Sequence, residues 1–393
     1  MRTDPLRYLQ LALDELEGQD SRRPMHVLCG EQSAHACVDD RQVVNLASNN
    51  YLGLTTHPRL KAAAIEATAR FGVGAGAVRP IAGTMTLHVE LERKLAAFKQ
   101  TEAALLFQSG FTANAGTVAA ILGRDDVIVS DELNHASIVD GARLSRATIK
   151  VFPHKNVDTA RKILKDLPAT QRKLVITDGV FSMDGDLAPL PALCDIAQES
   201  GAIMMVDDAH ASGVFGRNGR GTVDHFGLHG RVDVQVGTLS KALGAVGGYV
   251  AGSQLLIDVL RHRARPFVFS TAHPPAIAAT CLAALDVLVD EPEIIGRLWD
   301  NTAFFKAGLG RLGFNIGTSE SPILPVIVGS TSLAMQFSDR LLDHGVFAVA
   351  IGFPIVPRGL ARVRTIVTAT HSREDLQLAL DVFRTVGEEL GIV

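Results

Sequence analysis

The stretch Val236-Gly237-Thr238-Leu239-Ser240-Lys241-Ala242 places a lysine just after an apolar segment, residues 232–236, which predicts a buried strand. The glycine-rich segment Gly244-Ala245-Val246-Gly247-Gly248 follows the lysine. A buried lysine is costly unless it is paired, neutral or covalently used. Its small and hydroxyl-bearing neighbours leave room for a bulky group and can hydrogen-bond a phosphate. The stretch suits a lysine that forms a Schiff base with a carbonyl cofactor, although a surface lysine after a strand is the simpler interpretation of this stretch alone.

The length and composition of the chain indicate an ordinary globular enzyme. Its 393 residues suffice for two domains, and 47% hydrophobic with 20% charged residues is typical of a compact soluble protein. A net charge of −4, with no basic tract to offset it, argues against nucleic acid as the main partner. Residues 1–5 lack the apolar core of a signal peptide, and no apolar run approaches the ~20 residues that cross a bilayer. We expect a cytoplasmic protein with no membrane partner.

The cysteines of the chain, Cys29, Cys37, Cys194 and Cys281, are scattered and form no CxxC pair. Such spacing favours the reduced thiols of a cytoplasmic protein over a disulfide framework or a zinc site. We therefore expect no metal ligands among them.

From Glu102 onward, short apolar segments alternate with segments long enough for crossover helices. This alternation predicts an α/β fold with a large, mainly parallel sheet and helices on both of its faces. Chemistry in such a sheet gathers at the carboxyl ends of the strands. The predicted strands are 103–107, 127–129, 149–152, 174–177, 203–206, 232–236 and 249–251.

A second, smaller α/β domain is predicted at the C-terminus, joined to the first by a long helical region near 274–312. It is predicted to contain strands at 323–328, 346–350 and 362–367 and helices near 332–343 and 373–390. The N-terminal residues contribute an amphipathic helix over 5–18 and a strand at 43–46. These patterns divide the chain into an N-terminal segment of residues 1–48, a large cofactor-binding domain of residues 49–285 and a C-terminal domain of residues 286–393.

Two segments resemble phosphate-binding loops. Gly72-Val73-Gly74-Ala75-Gly76-Ala77-Val78-Arg79 follows a predicted helix rather than a strand, so a mobile or substrate-lining loop is expected there. Ser109-Gly110-Phe111-Thr112-Ala113-Asn114 follows a predicted strand and begins a helix. Backbone N–H groups at a helix N-terminus bind anions, which makes this segment a natural phosphate cradle. Taken alone, it is more simply a helix-capping sequence.

A histidine follows the next predicted strand, in Asp131-Glu132-Leu133-Asn134-His135-Ala136-Ser137. His135 could stack on a flat cofactor or transfer protons. The alternative is a helix capped by Asn134, with the histidine exposed. Ser182, in Asp178-Gly179-Val180-Phe181-Ser182, also lies just beyond a strand and either adds a polar contact or belongs to a simple turn.

The segment Val206-Asp207-Asp208-Ala209-His210 places two carboxylates and a histidine at the end of a hydrophobic strand, where an unpaired charge is expensive. One aspartate could keep a pyridine nitrogen protonated, with His210 on the ring hydroxyl. The competing hypothesis is a divalent metal held by Asp207, Asp208 and His210.

An aspartate about one strand–helix unit before a strand-end lysine, with a histidine and a Gly-Phe turn, is the pattern of enzymes that use pyridoxal 5'-phosphate (PLP). The motifs that extend this pattern along the chain are NNYLGL at 49–54, HVELERKLAAF at 88–98, SDELNHASIVDGARLS at 130–145, TDGVFSMDGDLAPL at 177–190, VDDAHASGVFGRNGRG at 206–221, GTLSKALGAVGGYVAG at 237–252, RPFVFSTAHPP at 265–275 and PIVPRGLARVRTIVTATH at 354–371. In these motifs and in their order, the chain resembles the α-oxoamine synthases. The resemblance implies the PLP-dependent transferase fold type I, which is aspartate-aminotransferase-like, and a homodimer whose active site lies at the subunit interface.

The resemblance also implies roles for individual residues. Lys241 would bind PLP as a Schiff base and remove the α-proton of the amino acid. Asp207 would pair with the pyridine nitrogen, and His210 would contact the ring oxygen. His135 would stack over the ring on the side where substrate binds.

Further contacts follow from the same resemblance, each carried over from a matching motif. The remaining cofactor contacts, mostly around the phosphate, would come from Gly110, Phe111, Ser182 and Thr238. Ser270 and Thr271 would reach the phosphate of the partner subunit's cofactor. Asn50 and Arg364 would hold the amino-acid carboxylate, for which a guanidinium fork is well shaped.

The implied reaction joins an amino acid to an acyl-CoA, because the carbanion formed by loss of the α-proton attacks the thioester and CoA leaves. VDDAH, TDGVFSMDG and RPFVFS favour glycine C-acetyltransferase activity, which joins glycine to acetyl-CoA and belongs to threonine degradation. GDLAPL and FSTAHPP resemble equally the branch that joins alanine to a pimeloyl thioester, with decarboxylation, in biotin synthesis. Ile355 stands where that branch usually has threonine, and Asn50 where it often has aspartate. We therefore expect glycine and acetyl-CoA as the substrates.

The same motifs are compatible with two further functions. One is a dual-activity enzyme that accepts short and long acyl thioesters. The second is a catalytically silent subunit of a hetero-oligomer, although the presence of Lys241 with Asp207 and His210 argues against it.

Overall fold

The computed structural model describes residues 4–18 and 25–393, which form an α/β protein with two compact units. One unit is Asn49–Trp299, and the other combines Met1–Ser48 with Asp300–Val393. The sequence analysis drew its boundaries after residues 48 and 285, and the contacts within the structure group the residues on either side of 48 and 299, with the N-terminal segment joined to the C-terminal residues. Residues 1–3 and 19–24 of the predicted N-terminal segment lie outside the described part of the chain.

The predicted strands of the large domain are all present, and their ends lie within two residues of the predicted ones. None of the helices in the described ranges combines the length and the hydropathy that crossing a membrane requires. The strands are β1 His35–Val38, β2 Arg41–Asn45, β3 Ala103–Phe107, β4 Val127–Asp131, β5 Thr148–Phe152, β6 Lys173–Asp178, β7 Ile203–Asp207, β8 Val234–Thr238, β9 Gly248–Gly252, β10 Ile323–Gly329, β11 Val346–Phe347, β12 Val349–Ile351 and β13 Ala361–Ile366. The helices are α1 Tyr8–Gly18, α2 Pro58–Phe71, α3 Thr86–Lys99, α4 Gly110–Ile121, α5 Ala136–Ser145, α6 Val157–Lys165, α7 Leu190–Ser200, α8 Thr222–His225, α9 Gln254–Arg263, α10 Arg265–Val268, α11 Pro275–Asp290, α12 Glu293–Arg311, α13 Thr331–Asp343 and α14 Arg373–Glu389.

The larger unit is built on a seven-stranded sheet of order β3-β9-β8-β7-β6-β4-β5. The pairs from β5 to β8 are parallel, and β9 runs antiparallel to both β8 and β3. The prediction of a mainly parallel sheet is therefore confirmed, with β9 as the exception. Because β3 again runs in the direction of β8, the strands that precede the polar motifs end at one edge of the sheet.

Both faces of this sheet are buried, and the side chains of each strand alternate between them. Met204 and Met205, for example, belong to different apolar clusters. Met205 packs with Phe107, Leu260 and Phe267 on one face. Met204 packs on the other face with residues of β5, α7 and the α8 region, namely Phe152, Leu190, Ile196, Val223 and Leu228. The sheet is thus a rigid central layer, and its polar edge carries the site.

Strand β8 continues into the stretch that carries the lysine, because Gly237 and Thr238 still pair with β9. Gly237 lies opposite Tyr249, and a Cβ at position 237 would come within 2.4 Å of the tyrosine ring. The missing side chain therefore lets the ring of Tyr249 cross over the strand. Because Gly237 and Thr238 pair with β9, strand β8 ends at residue 238, two residues after the end of the predicted strand.

The second unit contains two three-stranded sheets, ordered β1-β2-β11 and β10-β13-β12. The N-terminal hairpin joins the C-terminal residues because β2 pairs in parallel with β11, a contact between Val44 and Val346. The predicted strand 346–350 is therefore two short strands in different sheets. Four aromatic side chains fill the core of this unit, Phe305, Phe314, Phe337 and Phe383.

The predicted long helical region near 274–312 is divided into α11 and α12. Pro292 stands between them. Proline has no backbone N–H and disfavours helical geometry in the residue before it, so one helix ends here and another begins. The predicted boundary at residue 285 falls inside α11.

Candidate active site

A cavity of about 200 Å³ lies at the edge of the seven-stranded sheet where β3, β4, β6, β7 and β8 end. This is the position at which parallel α/β sheets bind their ligands. Within the described part of the chain, the cavity is lined by Ser109, Gly110, Phe111, His135, Ser137, Asp178, Ser182, Asp207, Ala209, His210, Thr238, Ser240 and Lys241.

The lining includes each residue that was predicted to contact PLP within one subunit, from Gly110 to Lys241. It also includes residues that were not predicted as site residues, namely Ser109, Ser137, Asp178, Ala209 and Ser240. All five stand inside the motifs that carry predicted residues, so their position next to those residues was the available signal.

The end of β8 is held by hydroxyl contacts. The Thr238 hydroxyl donates to the Gly247 carbonyl at 2.8 Å and lies 2.7 Å from the Ser240 hydroxyl. The Ser240 backbone N–H donates to the Thr238 hydroxyl at 3.3 Å. These contacts fix the turn that leads from the strand to Lys241.

The N-terminus of α4 lies against the same turn. Ser109 caps the helix by accepting the Thr112 N–H at 3.1 Å, and the Thr112 hydroxyl accepts the Ser109 N–H in return. Close approach is possible because position 248 has no side chain: a Cβ on Gly248 would lie 2.3 Å from the Ser109 carbonyl oxygen. A helix N-terminus beside several hydroxyls is a suitable site for a phosphate group.

Asp207 is 4% exposed and lies at the end of β7. Its Oδ2 accepts a hydrogen bond from the side-chain amide of Asn114 at 2.6 Å, and its Oδ1 accepts the Ala209 backbone N–H at 2.8 Å. Asn114, fully buried on α4, also donates to the Ser137 hydroxyl at 2.9 Å. These donors hold Asp207 in one orientation at the cavity wall.

A second carboxylate, Asp178, lies beside Asp207 on the neighbouring strand β6. Burial, reinforced by repulsion from Asp207, raises the pKa of Asp178 well above its usual range. Its Oδ2 accepts the backbone N–H of His135 at 2.8 Å. Asp178 therefore favours its protonated form more than a free carboxyl does, and its side chain positions His135.

His135 caps helix α5, and its Nδ1 lies 2.7 Å from the Ser137 hydroxyl. Burial lowers the pKa of His135, and the nearby charge of Lys241 lowers it further against the opposing attraction of Asp207. The ring is therefore neutral near pH 7, as suits a flat surface for stacking. His135 is exposed, as the alternative interpretation expected, but its ring lines the cavity, and His135 itself rather than Asn134 caps the helix.

His210 is 8% exposed, and its Nδ1 lies 2.7 Å from the Tyr51 hydroxyl. Tyr51 is 1% exposed and meets the imidazole edge-on. This contact fixes the orientation of the ring at the cavity. Tyr51 stands in the NNYLGL motif, but its role was not predicted because its partner is far away in the sequence.

Asp208 faces away from this arrangement. Its Oδ2 accepts a hydrogen bond from Lys99 Nζ at 2.9 Å, with both side chains fully buried, and Thr222 donates to it through its backbone N–H and hydroxyl. Burial alone lowers the pKa of Lys99, but the attraction of Asp208 outweighs it and raises the pKa. Because Asp208 is engaged in this ion pair, the structure does not support the alternative of a metal held by Asp207, Asp208 and His210.

Ser182 lies on the segment that follows β6, and His154 anchors this segment. The imidazole lies 3.0 Å from Asp131 through Nδ1 and 3.1 Å from Asp186 through Nε2, and it meets the ring of Phe181 edge-on. Burial by itself lowers the pKa of His154, but the two carboxylates outweigh it and raise the pKa to about 9. His154 is therefore a cation near pH 7 and ties the segment to the end of β4.

The remaining predicted site residues lie elsewhere in the described chain. The Asn50 amide donates to the Thr55 hydroxyl at 2.7 Å, and Arg364 lies on β13 of the second unit. The Thr271 carbonyl accepts a hydrogen bond from the Gln108 side chain at 2.8 Å, next to Ser270. Neither Ser270 nor Thr271 lines the cavity that the described residues of this chain form.

The Gly72 loop does not line that cavity either, as far as the described residues show. Its last residue, Arg79, is buried in a bidentate pair with Glu92, with distances of 2.8 and 3.0 Å. The C-terminal end of the loop is therefore fixed by the fold, and its role as a mobile or substrate-lining loop stays a prediction.

Comparison with known proteins assigns the chain to a family. A family model described as aminotransferase class I and II matches residues 41–383. An 8-amino-7-oxononanoate synthase of Symbiobacterium thermophilum is 57% identical to the chain, covering 98% of it and 99% of that protein. The 8-amino-7-oxononanoate synthase 1 of Bacillus subtilis is 53% identical and covers 100% of both chains. The chain belongs to the α-oxoamine synthase family.

A solved structure titled as SPT with a PLP internal aldimine superimposes on this α-oxoamine synthase with a TM-score of 0.95. Its sequence is 33% identical, and the match covers 99% of this chain and 100% of that one. The predicted fold type I is therefore confirmed. The family is one of PLP-dependent acyltransferases, which confirms the predicted enzyme class and cofactor.

The donor set of the cavity fits PLP. The N-terminus of α4 and the hydroxyls of Thr238 and Ser240 suit a phosphate, and the buried carboxylate of Asp207 suits a protonated ring nitrogen. Lys241 supplies a primary amine on the same cavity. The lack of a side chain at Gly248 preserves this phosphate site, because a Cβ there would collide with the backbone of Ser109 and Gly110.

Proposed function

We propose that this enzyme is an 8-amino-7-oxononanoate synthase, which condenses alanine with a pimeloyl thioester and releases the thiol and CO2. The observation that carries the proposal is the identity of 57% and 53% to proteins of that name across nearly the whole chain. This reverses the order predicted from motifs, in which glycine and acetyl-CoA came first. Ile355 and Asn50 are single positions, and they carry less weight than identity over more than half of the aligned residues.

The proposed roles of the cavity residues follow from their contacts. PLP, when bound, supplies an electron sink for the carbanion at the substrate α-carbon. Asp207 would pair with the protonated ring nitrogen, and Asn114 and the Ala209 N–H orient its carboxylate for that contact. Lys241 holds the cofactor and takes the α-proton of alanine. His135, which is neutral and lines the cavity, would stack on the ring, and His210 would contact the ring oxygen.

The proposed phosphate site is the N-terminus of α4, where the backbone N–H groups of Gly110 and Phe111 face the cavity with the hydroxyls of Thr238 and Ser240. Helix α4 has 12 residues, and its dipole favours an anion at this end. Ser182 adds a hydroxyl from the segment that His154 anchors.

We also propose that the active enzyme is a homodimer. Ser270 and Thr271 would then reach the phosphate of the partner subunit's cofactor, in keeping with their position outside the cavity of their own chain. Asn50 and Arg364 would bind the carboxylate of alanine. These assignments rest on the family resemblance, and mass measurement in solution tests the dimer directly.

Steady-state kinetics of the PLP-loaded protein test the proposed substrates. We expect kcat/KM for alanine with pimeloyl-CoA to exceed that for glycine with acetyl-CoA by at least about 10²-fold. The pimeloyl group has several more methylene groups to bury than the acetyl group, and alanine has one more methyl group than glycine. Release of CO2 together with CoA is expected with the first pair. A pimeloyl group carried on acyl carrier protein, assayed in parallel, identifies the preferred donor.

Lys241→Ala serves as the control, because it should remove the borohydride-sensitive visible absorption of the bound cofactor and the turnover of either pair. Faster turnover of glycine with acetyl-CoA than of alanine with pimeloyl-CoA would contradict the proposed function.

A further inference from the structure

The fold brings together two cysteines that are eight residues apart in the sequence. Leu28 and Val38 form an antiparallel bridge, and the Cys29 N–H donates to the Cys37 carbonyl at 2.8 Å. Cys29 therefore lies opposite Cys37, and opposite residues of an antiparallel pair project on the same side. Cys29 is exposed and Cys37 is half-buried, so both thiols are accessible.

A carboxylate completes this group. The hairpin of β1 and β2 turns through Asp39 and Asp40, which have left-handed φ angles of 49° and 61°. This two-residue turn points the Asp40 side chain back toward the neighbouring strand, where its Oδ1 lies 3.6 Å from Cys29 Sγ. The Asp40 backbone N–H also approaches Cys29 Sγ at 3.3 Å, and Asp39 holds the turn by accepting the Val27 N–H at 2.8 Å.

The spacing of these three side chains matches metal coordination. Their ligand atoms all lie within 4.8 Å of one another. Zinc bonds of about 2.3 Å to sulfur and 2.0–2.2 Å to oxygen, at tetrahedral angles, place a sulfur and an oxygen ligand roughly 3.6 Å apart. The distance from Cys29 Sγ to Asp40 Oδ1 has this value without any rearrangement.

We propose that Cys29, Cys37 and Asp40 form a binding site for a soft divalent cation of the Zn²⁺ type, with a fourth position open to water or another ligand. Two thiolates select a thiophilic metal, and a carboxylate is a common third ligand of zinc. None of the three residues lines the catalytic cavity, so the site is separate from the condensation chemistry. The metal would tie the N-terminal strand to the β1–β2 hairpin.

Cys194 and Cys281 differ from this pair in every property that the proposal uses. Both are buried among helices and apolar side chains, and burial raises the pKa of Cys194 to about 11 and that of Cys281 to about 12. Neither forms part of a ligand group among the described residues. The expectation that no cysteine serves as a metal ligand followed from spacing along the chain, and it missed a pair that meets across two strands.

The test is zinc titration of the full-length, PLP-loaded protein, kept reduced with a phosphine, against a chromophoric zinc indicator. We expect about one equivalent of zinc per chain to bind in competition with the indicator. Co²⁺ in its place should give the intense visible bands of tetrahedral thiolate coordination, at longer wavelength than the cofactor absorbs. Cys29→Ser and Cys37→Ser should abolish this binding and leave turnover unchanged.

The turn offers a matched pair of variants. Asp39→Asn and Asp40→Asn both retain a residue that tolerates a left-handed backbone, so both should keep the hairpin. Only Asp40→Asn should weaken zinc binding, by more than the roughly tenfold that loss of an outer-shell partner costs. Zinc binding that survives both cysteine variants, or a reduced wild-type protein that binds no zinc and only forms a Cys29–Cys37 disulfide on oxidation, would overturn the proposal.

Discussion

Asp207 and Asp208 are neighbours at the end of β7, and their environments differ in one respect. Asp208 has partners on every side, namely Lys99 and the N–H and hydroxyl of Thr222, and its side chain is fully buried. Asp207 is held by Asn114 and the Ala209 N–H, but it also lines the cavity. Asp208 thus has a closed set of partners, whereas Asp207 keeps one side open toward a ligand. The comparison teaches that two identical charges at a strand end can divide into a structural and a functional one.

Lys99→Met tests the buried ion pair of Asp208 and should have the largest effect. Removing the cation leaves the Asp208 carboxylate buried without its counter-charge, which should lower the free energy of unfolding by about 3–5 kcal/mol. Urea unfolding monitored by far-UV circular dichroism measures the change. In Lys99→Met/Asp208→Asn no uncompensated charge remains, so most of the lost stability should return. A single variant as stable as the wild type would show that Asp208 is not held as described.

Asp207→Asn tests the role of the carboxylate that faces the cavity. The variant keeps the shape of the side chain but cannot keep a ring nitrogen protonated, so kcat/KM should fall about 10²–10³-fold, as when a buried electrostatic partner is lost from an active site. The free energy of unfolding should change by less than about 1 kcal/mol, because the new amide oxygen can still accept the Ala209 N–H and the Asn114 side chain can turn over to accept the new amide N–H through its own oxygen. Kinetics and urea unfolding are measured on the same preparation. Loss of stability with unchanged turnover would reverse the roles assigned to the two aspartates.

His154→Gln extends the comparison to another structural charge group, the ion pairs of His154 with Asp131 and Asp186. The ordinary pKa of histidine is near 6.5, and in the folded protein it is about 9. A raised pKa means that the ion pairs contribute fully below pH 6.5 and lose their contribution as the pH rises through 9. The variant should therefore be less stable by on the order of 2–3 kcal/mol at pH 6, with the difference vanishing above pH 9. His262→Gln, which removes an exposed histidine on α9, is measured alongside as the control variant.

Asn114→Ala removes one of the two hydrogen-bond donors to Asp207 and should have the smallest effect of these variants. Loss of a hydrogen bond to a charged carboxylate should lower kcat about tenfold, because Asp207 is then less well oriented. Steady-state kinetics measure the change, and KM for alanine should change less than kcat, a split that a purely structural role would not produce. Asn301→Ala removes another buried asparagine, which contacts Thr368 and His371, and should affect stability without lowering kcat.

Much of the fold could be predicted because its signals are local. The apolar runs and the crossover lengths between them specify strands and helices, so the strands of the large sheet were predicted to within two residues. Polar motifs directly after those strands had to meet at one edge, since parallel strands end together. Lys241, Asp207, His135 and His210 were identified as one site for this reason, and all four line the cavity.

Substrate choice was predicted less well. The residues at positions 50 and 355 were weighed singly, and each pointed toward glycine and acetyl-CoA. Acyl chain length depends on the shape of a whole pocket, which no single side chain encodes. The relatives that match along the full chain are 8-amino-7-oxononanoate synthases, which belong to the alternative that the motifs placed second.

The sequence by itself determined the α/β order of elements, the catalytic edge of the sheet and the lysine at its centre, because periodicity and strand-end motifs act over a few residues. Only the tertiary structure decided which distant side chains meet: Asn114 with Asp207, Tyr51 with His210, Lys99 with Asp208 and Cys29 with Cys37. It also decided that the N-terminal hairpin joins the C-terminal unit through β11. Such pairings depend on how elements pack in three dimensions, and distance along the chain carries no record of them.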